Sequence, residues 1–315
     1  MNRKVRIGSR DSLLAVRQAE LVMEAVRRTS PETELTLVTM KTTGDRILDQ
    51  SLDKIGGKGL FVKELDLALM EGRSDLSVHS LKDMPMELPE ELPILAYSPR
   101  EDNRDVLVLR AGLTELPPHP VIGTGSARRK IQAAGLYPDA EFRGIRGNIH
   151  TRLRKLDSGE YDALILAAAG MLRMGLQDRI SRYFSVEEII PSAGQGIMAV
   201  QGRRSDSYPF LIKINSPESQ AMAEAERSFV RTLDGGCSSP IAACALMEGD
   251  RLKLRGLYFD EKSGRWTVGS MEGSAREAEK LGRSLALRLR AETEQEAGEG
   301  KKRPVKNEEN REEQE

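Results

Sequence analysis

Val5-Arg6-Ile7-Gly8-Ser9-Arg10-Asp11-Ser12-Leu13-Leu14-Ala15 is the stretch that decides the fold. Val5–Ile7 reads as a short strand, Gly8 to Ser12 as a polar turn, and a helix follows from about Leu13 to Arg28. Ala15, Ala19, Val22 and Val26 share one face of that helix. The same unit then recurs downstream. Leu35–Met40 reads as a strand, and a helix from about Phe61 to Met70 is entered through Gly56-Gly57-Lys58-Gly59 and closed by Gly72. Leu76–His79 is a further strand, ending at Ser80-Leu81-Lys82-Asp83-Met84-Pro85.

Beyond Pro99 the alternation continues. Strands are expected at Val106–Leu109, Val121–Thr124, Glu141–Arg143 and Ala163–Ala167. Helices are expected at about Ser126–Leu136 and Thr151–Ser158, the second with Asn148 nearby as a cap. This alternation predicts parallel α/β sheets in two halves, with sites at the carboxyl ends of the strands and a cleft between the halves. Ile197–Val200 reads as one more strand returning to the first sheet. A helix begins at Ser216-Pro217 and runs to about Leu233, where Gly235-Gly236-Cys237 ends it. Strands at Ala242–Leu246, Leu252–Phe259 and Trp266–Met271, then a helix from about Ala275 to Ala291, make a small α+β domain. The expected domains are 1–98 with 197–215, 99–196, and 216–291. Residues 292–315 are expected to be a disordered charged tail, because they hold too little apolar surface to offset ordering.

Composition excludes several functions. The chain has 315 residues, enough for two or three cores, and a formal net charge of -1, which argues against a wholesale nucleic-acid or membrane-surface binder. From Glu292 onward, nine Glu against five Lys or Arg leave a net of -4, so the body carries about +3. Aromatic residues are only 4% of the chain, so stacking is not the main mode of recognition. No run approaches the roughly 18 apolar residues of a membrane span, and the first residues lack the apolar core of a signal peptide. A cytoplasmic location is expected. Two cysteines make no disulfide framework, and three scattered histidines offer no metal-site spacing, so no metal is expected.

The chemistry-bearing residues cluster at turns. Arg10, Arg128, Arg129 and Arg146 sit at strand-to-helix turns, with Arg152 one helical turn further on and Arg173 a candidate to join them. Guanidinium groups beside free helix-start N–H groups suit several carboxylates or phosphates. The bland reading, surface arginines, holds for any one of them but weakens for a recurring set. Gly56-Gly57-Lys58-Gly59 lacks phosphate-loop spacing, and reads either as a loop able to close over the cleft or as a plain turn. Asp83 is either a proton-handling carboxylate at a strand end or a local turn residue. Cys237, among glycines, is either an accessible nucleophile or attachment point or a small buried residue. Cys244 falls within an apolar strand pattern and reads as buried.

Taken together, the motifs resemble those of the hydroxymethylbilane synthase (porphobilinogen deaminase) family. The likeness runs from Arg6 to about Ala291. It includes Gly8-Ser9-Arg10 with Ser12-Leu13-Leu14-Ala15, then Gly56 to Glu64, His79 to Pro85, Arg128-Arg129 and Arg146-Gly147-Asn148. Thr151-Arg152-Leu153, Gly194-Gln195-Gly196 and Gly235-Gly236-Cys237 complete it. The resemblance implies two lobes like type II periplasmic binding proteins plus a small C-terminal α+β domain, in a monomer. It implies a transferase of tetrapyrrole (haem) biosynthesis that deaminates and joins four porphobilinogen molecules into linear hydroxymethylbilane. The primer is a dipyrromethane cofactor in thioether linkage, which the resemblance assigns to Cys237. It also implies that Asp83 is the catalytic aspartate, and that Ser12, Lys82, Asp83, Ser126, Arg128, Arg129, Arg146 and Gly147 bind the cofactor. Arg10, Lys54, Lys58, Ser80, Arg146, Arg152, Arg173 and Gln195 would bind substrate. After the anchor, Ser238-Ser239 replaces the commoner Gln-Val pair before Pro240.

Two rival classes compete with this reading. An anion-binding sensor would account for two lobes and cleft arginines, but not for Gly-Gly-Cys in a third domain. A cysteine hydrolase lacks a histidine near Cys237 in the sequence.

Overall fold

A computed structural model describes residues 4–42, 62–236 and 239–298. β1 (Val5–Arg10) leads through Ser12 into α1 (Leu13–Thr29), whose buried face is Ala15, Gln18, Ala19, Val22, Met23 and Val26. The Ser12 hydroxyl accepts from the Ala15 N–H at 3.4 Å, satisfying one of the unpaired donors at the helix start. β2 (Leu35–Met40), α2 (Lys63–Met70), β3 (Leu76–Ser80) and β4 (Ile94–Tyr97) follow. β5 (Asp105–Leu109), β6 (Val121–Gly123), α3 (Ala127–Leu136), β7 (Glu141–Arg143), α4 (Ile149–Lys155), β8 (Ala163–Ala167), α5 (Ala168–Arg173) and β9 (Arg182–Tyr183) build the second lobe. β10 (Met198–Gly202) then returns to the first.

The two five-stranded sheets share one plan, β2-β1-β3-β10-β4 and β7-β6-β8-β5-β9. Neither is fully parallel, contrary to the alternation argument. β10 runs antiparallel to β3 and β4, and β5 antiparallel to β8 and β9. The cause is the crossing. Each of these antiparallel strands, fourth in its sheet, is the first to enter it after the chain has come over from the other lobe, so no crossover helix within that sheet sets its direction. The alternation did locate every strand of the two sheets except the short β4 and β9, and buried residues such as Val5, Ile7 and Val78 in the first lobe and Val106, Leu164 and Leu166 in the second form the cores.

α6 (Pro217–Thr232), capped by Ser216, precedes a meander of β11 (Ala242–Glu248), β12 (Arg251–Asp260) and β13 (Arg265–Ser274), and then α7 (Ala278–Gly298). α6 and α7 lie against each other so closely that a Cβ at Gly282 would stand 2.1 Å from the Ala225 carbonyl oxygen, which only glycine avoids. Phe229, Leu252, Leu254, Leu285 and Leu289 fill the core beneath them.

The tail boundary needs correction. α7 does not stop at Ala291 but continues to Gly298, and Thr293 is fully buried. Thr293 lies one and two helical turns beyond Leu289 and Leu285, on the same buried face, so its methyl extends the apolar stripe. Its hydroxyl pairs with Thr267 Oγ1 and donates to the Leu289 carbonyl, each at 2.8 Å. A threonine counted as polar in the sequence is thus a core residue. Ending the chain after Ala291 is therefore expected to lower the thermal midpoint by ~2–5 °C, since it strips a buried hydroxyl pair and the last turns of the helix. An unchanged midpoint in that truncation would mean those turns add nothing to stability.

The third domain grips both crossings between the lobes. Glu226 of α6, fully buried, accepts from Arg100 Nη2 at 2.7 Å on the outgoing crossing. It also accepts from the Gly194 N–H at 2.7 Å on the return crossing, and from the Ala245 N–H at 2.6 Å. Next to it, Arg227 donates to the Met86 carbonyl at 3.0 Å and to that of Pro85. α6 thereby holds the segment that directly follows Asp83.

Candidate functional site

At the end of β3 the chain turns through a single 3-10 turn, Leu81–Asp83. Leu81 and Met84 are buried on either side of it, and the Leu81 N–H donates to the Ile197 carbonyl at 3.0 Å. The apolar anchors leave Lys82 and Asp83 half-buried, turned away from the core. Ser80 receives a hydrogen bond from Gln18 Nε2 of α1 at 2.9 Å, which fixes its hydroxyl. Arg10 ends β1 and Ser12 caps α1, so the first lobe offers these groups from the carboxyl ends of two adjacent strands, β1 and β3.

The second lobe contributes from the starts of α3 and α4. Ser126 caps α3, accepting from the Arg129 N–H at 3.4 Å, and puts Arg128 and Arg129 in the first turn. Gly147 has φ +107°, and a Cβ there would meet Thr151 at 2.8 Å, so this turn requires glycine. The Gly147 carbonyl accepts from Arg152 Nε at 2.8 Å, and Asn148 caps α4 by accepting from the Thr151 N–H at 2.9 Å. Arg146 stands immediately before this turn and is half-buried.

Charge effects show which groups face each other. Burial pushes Arg152 down to about 10; the positive charges of Arg129 and Arg146 add to that, and Asp83 opposes it. Burial likewise pushes Lys82 down to about 8, against Asp83 and Asp105, with Arg129 and Arg128 pushing the same way as burial. Residues of both lobes therefore share one electrostatic site. Asp105 is fully buried; burial resists its ionisation, but Arg128 and Arg129 outweigh that and hold its carboxyl well below the usual range.

Not every candidate stands free to meet a ligand. Arg128 is 3% exposed and gives Nη1 to Asp105 at 2.8 Å and to the Ile190 carbonyl at 2.6 Å, and Nε to Ser192 at 3.0 Å. Gln195 is buried between the lobes; it donates to Asp105 at 2.9 Å and to the Asn103 carbonyl at 2.7 Å, and accepts from Lys82 Nζ at 3.3 Å. Arg173 donates to the Gly196 carbonyl at 2.6 Å. It lines a cavity of about 280 Å³ formed with α1, β4 and the outgoing crossing, which includes none of the other candidates. Arg173 thus belongs to the hinge side. Lys54, Lys58 and Cys237 lie outside the described residues.

The arrangement suits a ligand rich in carboxylates. Arg10, Lys82, Arg128, Arg129, Arg146 and Arg152 outnumber Asp83 and Asp105. Arg129 is almost wholly buried, and its Nε has no hydrogen-bond partner in the protein. The fit to a pyrrole bearing acetate and propionate groups is good on these grounds. No cluster able to hold a metal occurs among the described residues, and no described helix is long and apolar enough to cross a membrane.

Sequence reading missed Asp105, Glu226, Arg227 and Gln18. Two of them leave a signal. Asp105 adjoins the apolar run Val106–Leu109 with no turn between, and Glu226 sits one turn from Met222 and Val230 on an apolar stripe. A charge in such a place is either an error of the pattern or a buried partner.

Fold and site together describe two α/β lobes whose facing cations suit a polycarboxylate ligand, with a small third domain attached at the hinge. Comparison with known proteins makes this specific. Residues 5–209 match the family "Porphobilinogen deaminase, dipyromethane cofactor binding domain", and residues 221–291 match "Porphobilinogen deaminase, C-terminal domain". The chain is 52% identical over 287 residues to the porphobilinogen deaminase of Ruminiclostridium cellulolyticum, covering 91% of this chain and 98% of that one. It is 44% identical over 290 residues to that of Thiobacillus denitrificans, covering 91% and 95%. Among solved structures, the periplasmic aliphatic sulphonate binding protein SsuA from Escherichia coli shows a slight likeness, at 11% identity and a TM-score of 0.40 over 73% of this chain and 70% of that one. The chain belongs to the porphobilinogen deaminase family. It is a transferase of porphyrin biosynthesis that joins porphobilinogen units into a linear tetrapyrrole, and its cofactor is dipyrromethane.

Proposed function

We propose that Asp83 is the catalytic group of this reaction and that Cys237 carries the dipyrromethane. The observation that carries the first part is the electrostatic contact across the lobes, of Lys82 with Arg129 and of Asp83 with Arg152. The substrate's acetate and propionate are held by Arg10, Arg146 and Arg152, with Ser80 and Gln195 fixing neighbouring groups and Lys54 and Lys58 alongside, whereas Arg173, on the hinge side, is left out of this set. Ser12, Lys82, Ser126, Arg128, Arg129 and Gly147 hold the cofactor, Arg128 and Arg129 mainly by their buried charge.

When bound, the dipyrromethane supplies the free α-carbon to which porphobilinogen is joined. The residues act on the incoming ring. Its carbon–nitrogen bond breaks with the electron pair leaving on ammonia, and the ring nitrogen takes up the positive charge. The Asp83 carboxylate stabilises that charge, and its placement beside Arg152 and Lys82 keeps it from being buried unpaired. The protein acts as a cytoplasmic monomer without nucleic acid. Its domains are 1–98 with 197–215, 99–196, and 216 to the end of α7.

The intact mass of the purified protein tests this reading. It should exceed the sequence mass by one covalent dipyrrole, and porphobilinogen should be consumed with release of ammonia. A protein at sequence mass that binds polycarboxylates without turnover would be an anion-binding sensor instead.

A pH effect follows from Lys82. Because burial holds its ammonium down to about 8, its charge is present below that pH and lost above it. Carboxylate binding, read as KM for porphobilinogen, is expected to weaken as pH rises through about 8, by at most roughly tenfold per pH unit. Lys82→Arg should carry its charge well past that pH and remove the alkaline limb. A limb unchanged in Lys82→Arg would assign it to another group.

A further inference from the structure

Asp105 begins β5 on the second lobe, and no ligand-binding or catalytic role has been given to it above. Its carboxylate is fully buried and fully used. Oδ2 accepts from Arg128 Nη1 at 2.8 Å; Oδ1 accepts from Arg129 Nη2 at 2.8 Å and from Gln195 Nε2 at 2.9 Å. The other end of the Gln195 amide accepts from Lys82 Nζ at 3.3 Å, next in the chain to Asp83. One carboxylate thus joins a continuous path, Lys82 to Gln195 to Asp105 to Arg129, that starts on the first lobe, passes through the return crossing and ends on the second lobe.

We propose that Asp105 is a positioning residue, which orients Arg129 directly and Lys82 through Gln195, so that ligand-facing cations of the two lobes are set as one unit. Arg129 Nη1 is held by the Ile165 carbonyl at 3.0 Å and its Nη2 by Asp105, which leaves Nε as the nitrogen with no partner in the protein. A guanidinium pinned at two nitrogens holds its charge in a fixed place, and little freedom remains to be lost on binding. Gln195 works the same way, because its N–H₂ is tied to Asp105 and Asn103 and only its oxygen faces Lys82. The simple alternative is a buried ion cluster that serves folding alone. The Lys82 branch distinguishes the two, since a cluster serving only the second lobe's core needs no link to a lysine of the first.

The inference rests on the reading of Lys82 and Arg129 as ligand-binding groups. It is tested with Asp105→Asn and Gln195→Met in the full-length enzyme, measuring intact mass, thermal midpoint, and kcat and KM for porphobilinogen across pH. The groups around Lys82 are Asp83, Arg129, Asp105 and Arg128, so removing the Asp105 charge takes away one of its two stabilising carboxylates. In Asp105→Asn, KM is expected to rise about tenfold or the dipyrrole-loaded fraction to fall, and the alkaline limb to move down by about half a pH unit or more. Gln195→Met leaves the Asp105–arginine pairs intact and should move the limb in the same direction. If Asp105→Asn does not fold, Gln195→Met decides alone. A loaded Gln195→Met enzyme with wild-type KM and an unmoved limb overturns the inference, as does an Asp105→Asn enzyme with the same result. Lys82→Gln and Arg129→Leu serve as controls. If they lose affinity while the other two variants do not, only the role of Asp105 fails. If they too behave as wild type, the ligand-binding reading fails and takes the inference with it.

Discussion

Asp83→Asn is expected to reduce turnover of porphobilinogen at least ~100-fold, a loss of about 3 kcal/mol of transition-state stabilisation, with the thermal midpoint almost unchanged. The amide has the same shape, and the turn that carries it is fixed by other groups. Leu81 and Met84 are buried on either side, the Met84 N–H donates to the Leu81 carbonyl at 3.1 Å, and Arg227 holds the Pro85 and Met86 carbonyls. What the substitution removes is a negative charge among Lys82 and Arg152. As ammonia leaves, the pyrrole nitrogen becomes positive in a site whose other groups are mostly cationic, and Asp83 is the carboxylate on the exposed side of that set. Losing it should affect kcat far more than KM, because the ground-state substrate is held through its own carboxylates by arginines. The measurement is steady-state kinetics on protein that carries the dipyrrole by intact mass. Turnover within threefold of wild type would remove Asp83 from the chemistry, whatever its place in the fold.

The sequence made the frame of this site legible and hid what fixes it. Strand-to-helix turns announce themselves by glycine, serine and asparagine at fixed offsets from apolar runs. That is why Asn148 could be read as a cap beforehand, with Ser12 placed in a turn and Ser126 at a helix start, and all three cap helices. The arginines after those turns were visible for the same reason. Their partners were not. Asp105 is separated from Arg128 by 23 positions and from Gln195 by 90, and no local pattern encodes a pairing at that distance. The same holds for Glu226, which meets Arg100 across 126 positions and ties the third domain to both crossings. The antiparallel course of β5 and β10 is hidden for a related reason, because it depends on how two lobes exchange chain and not on any residue within the strand. Thr293 was misread because helix ends were judged by apolar count, whereas a threonine with both its methyl and its hydroxyl satisfied can end a buried stripe.

Replacing Cys237 by alanine is expected to give protein at its sequence mass, without the covalent dipyrrole and with activity reduced at least ~100-fold, whereas Cys244→Ala should keep both. The case against Cys244 is direct. Its side chain is 2% exposed in β11, packed with Ile190 and Leu257, and burial followed by the charge of Glu226 pushes its thiol up to about 12. A thiol held that high offers almost no thiolate near neutral pH, and its sulfur is already occupied as acceptor from Asn103 Nδ2 at 3.2 Å. Cys244→Ala should cost only ~1 kcal/mol of stability, for the lost packing and the amide left without its acceptor. Cys237 lies outside the described residues, but its neighbours bear on its access. Val230 and the Ile241 side chain leave no room for a Cβ at Gly235, at 3.0 and 2.8 Å, while nothing stands within 4 Å of one at Gly236. The chain therefore leaves the core between Gly235 and Gly236, one residue before the cysteine. A thioether there needs a sulfur nucleophile, because a serine hydroxyl is far weaker at neutral pH, so Cys237→Ser should resemble the alanine variant. The loss should also show in stability. A polycarboxylate cofactor held by residues of both lobes and tied to the third domain favours the folded, assembled state, and without it the thermal midpoint should fall by several degrees, more than for Cys244→Ala. Peptide mapping that placed the dipyrrole on Cys244, or a Cys237→Ala enzyme that turned over porphobilinogen at the wild-type rate, would overturn the assignment.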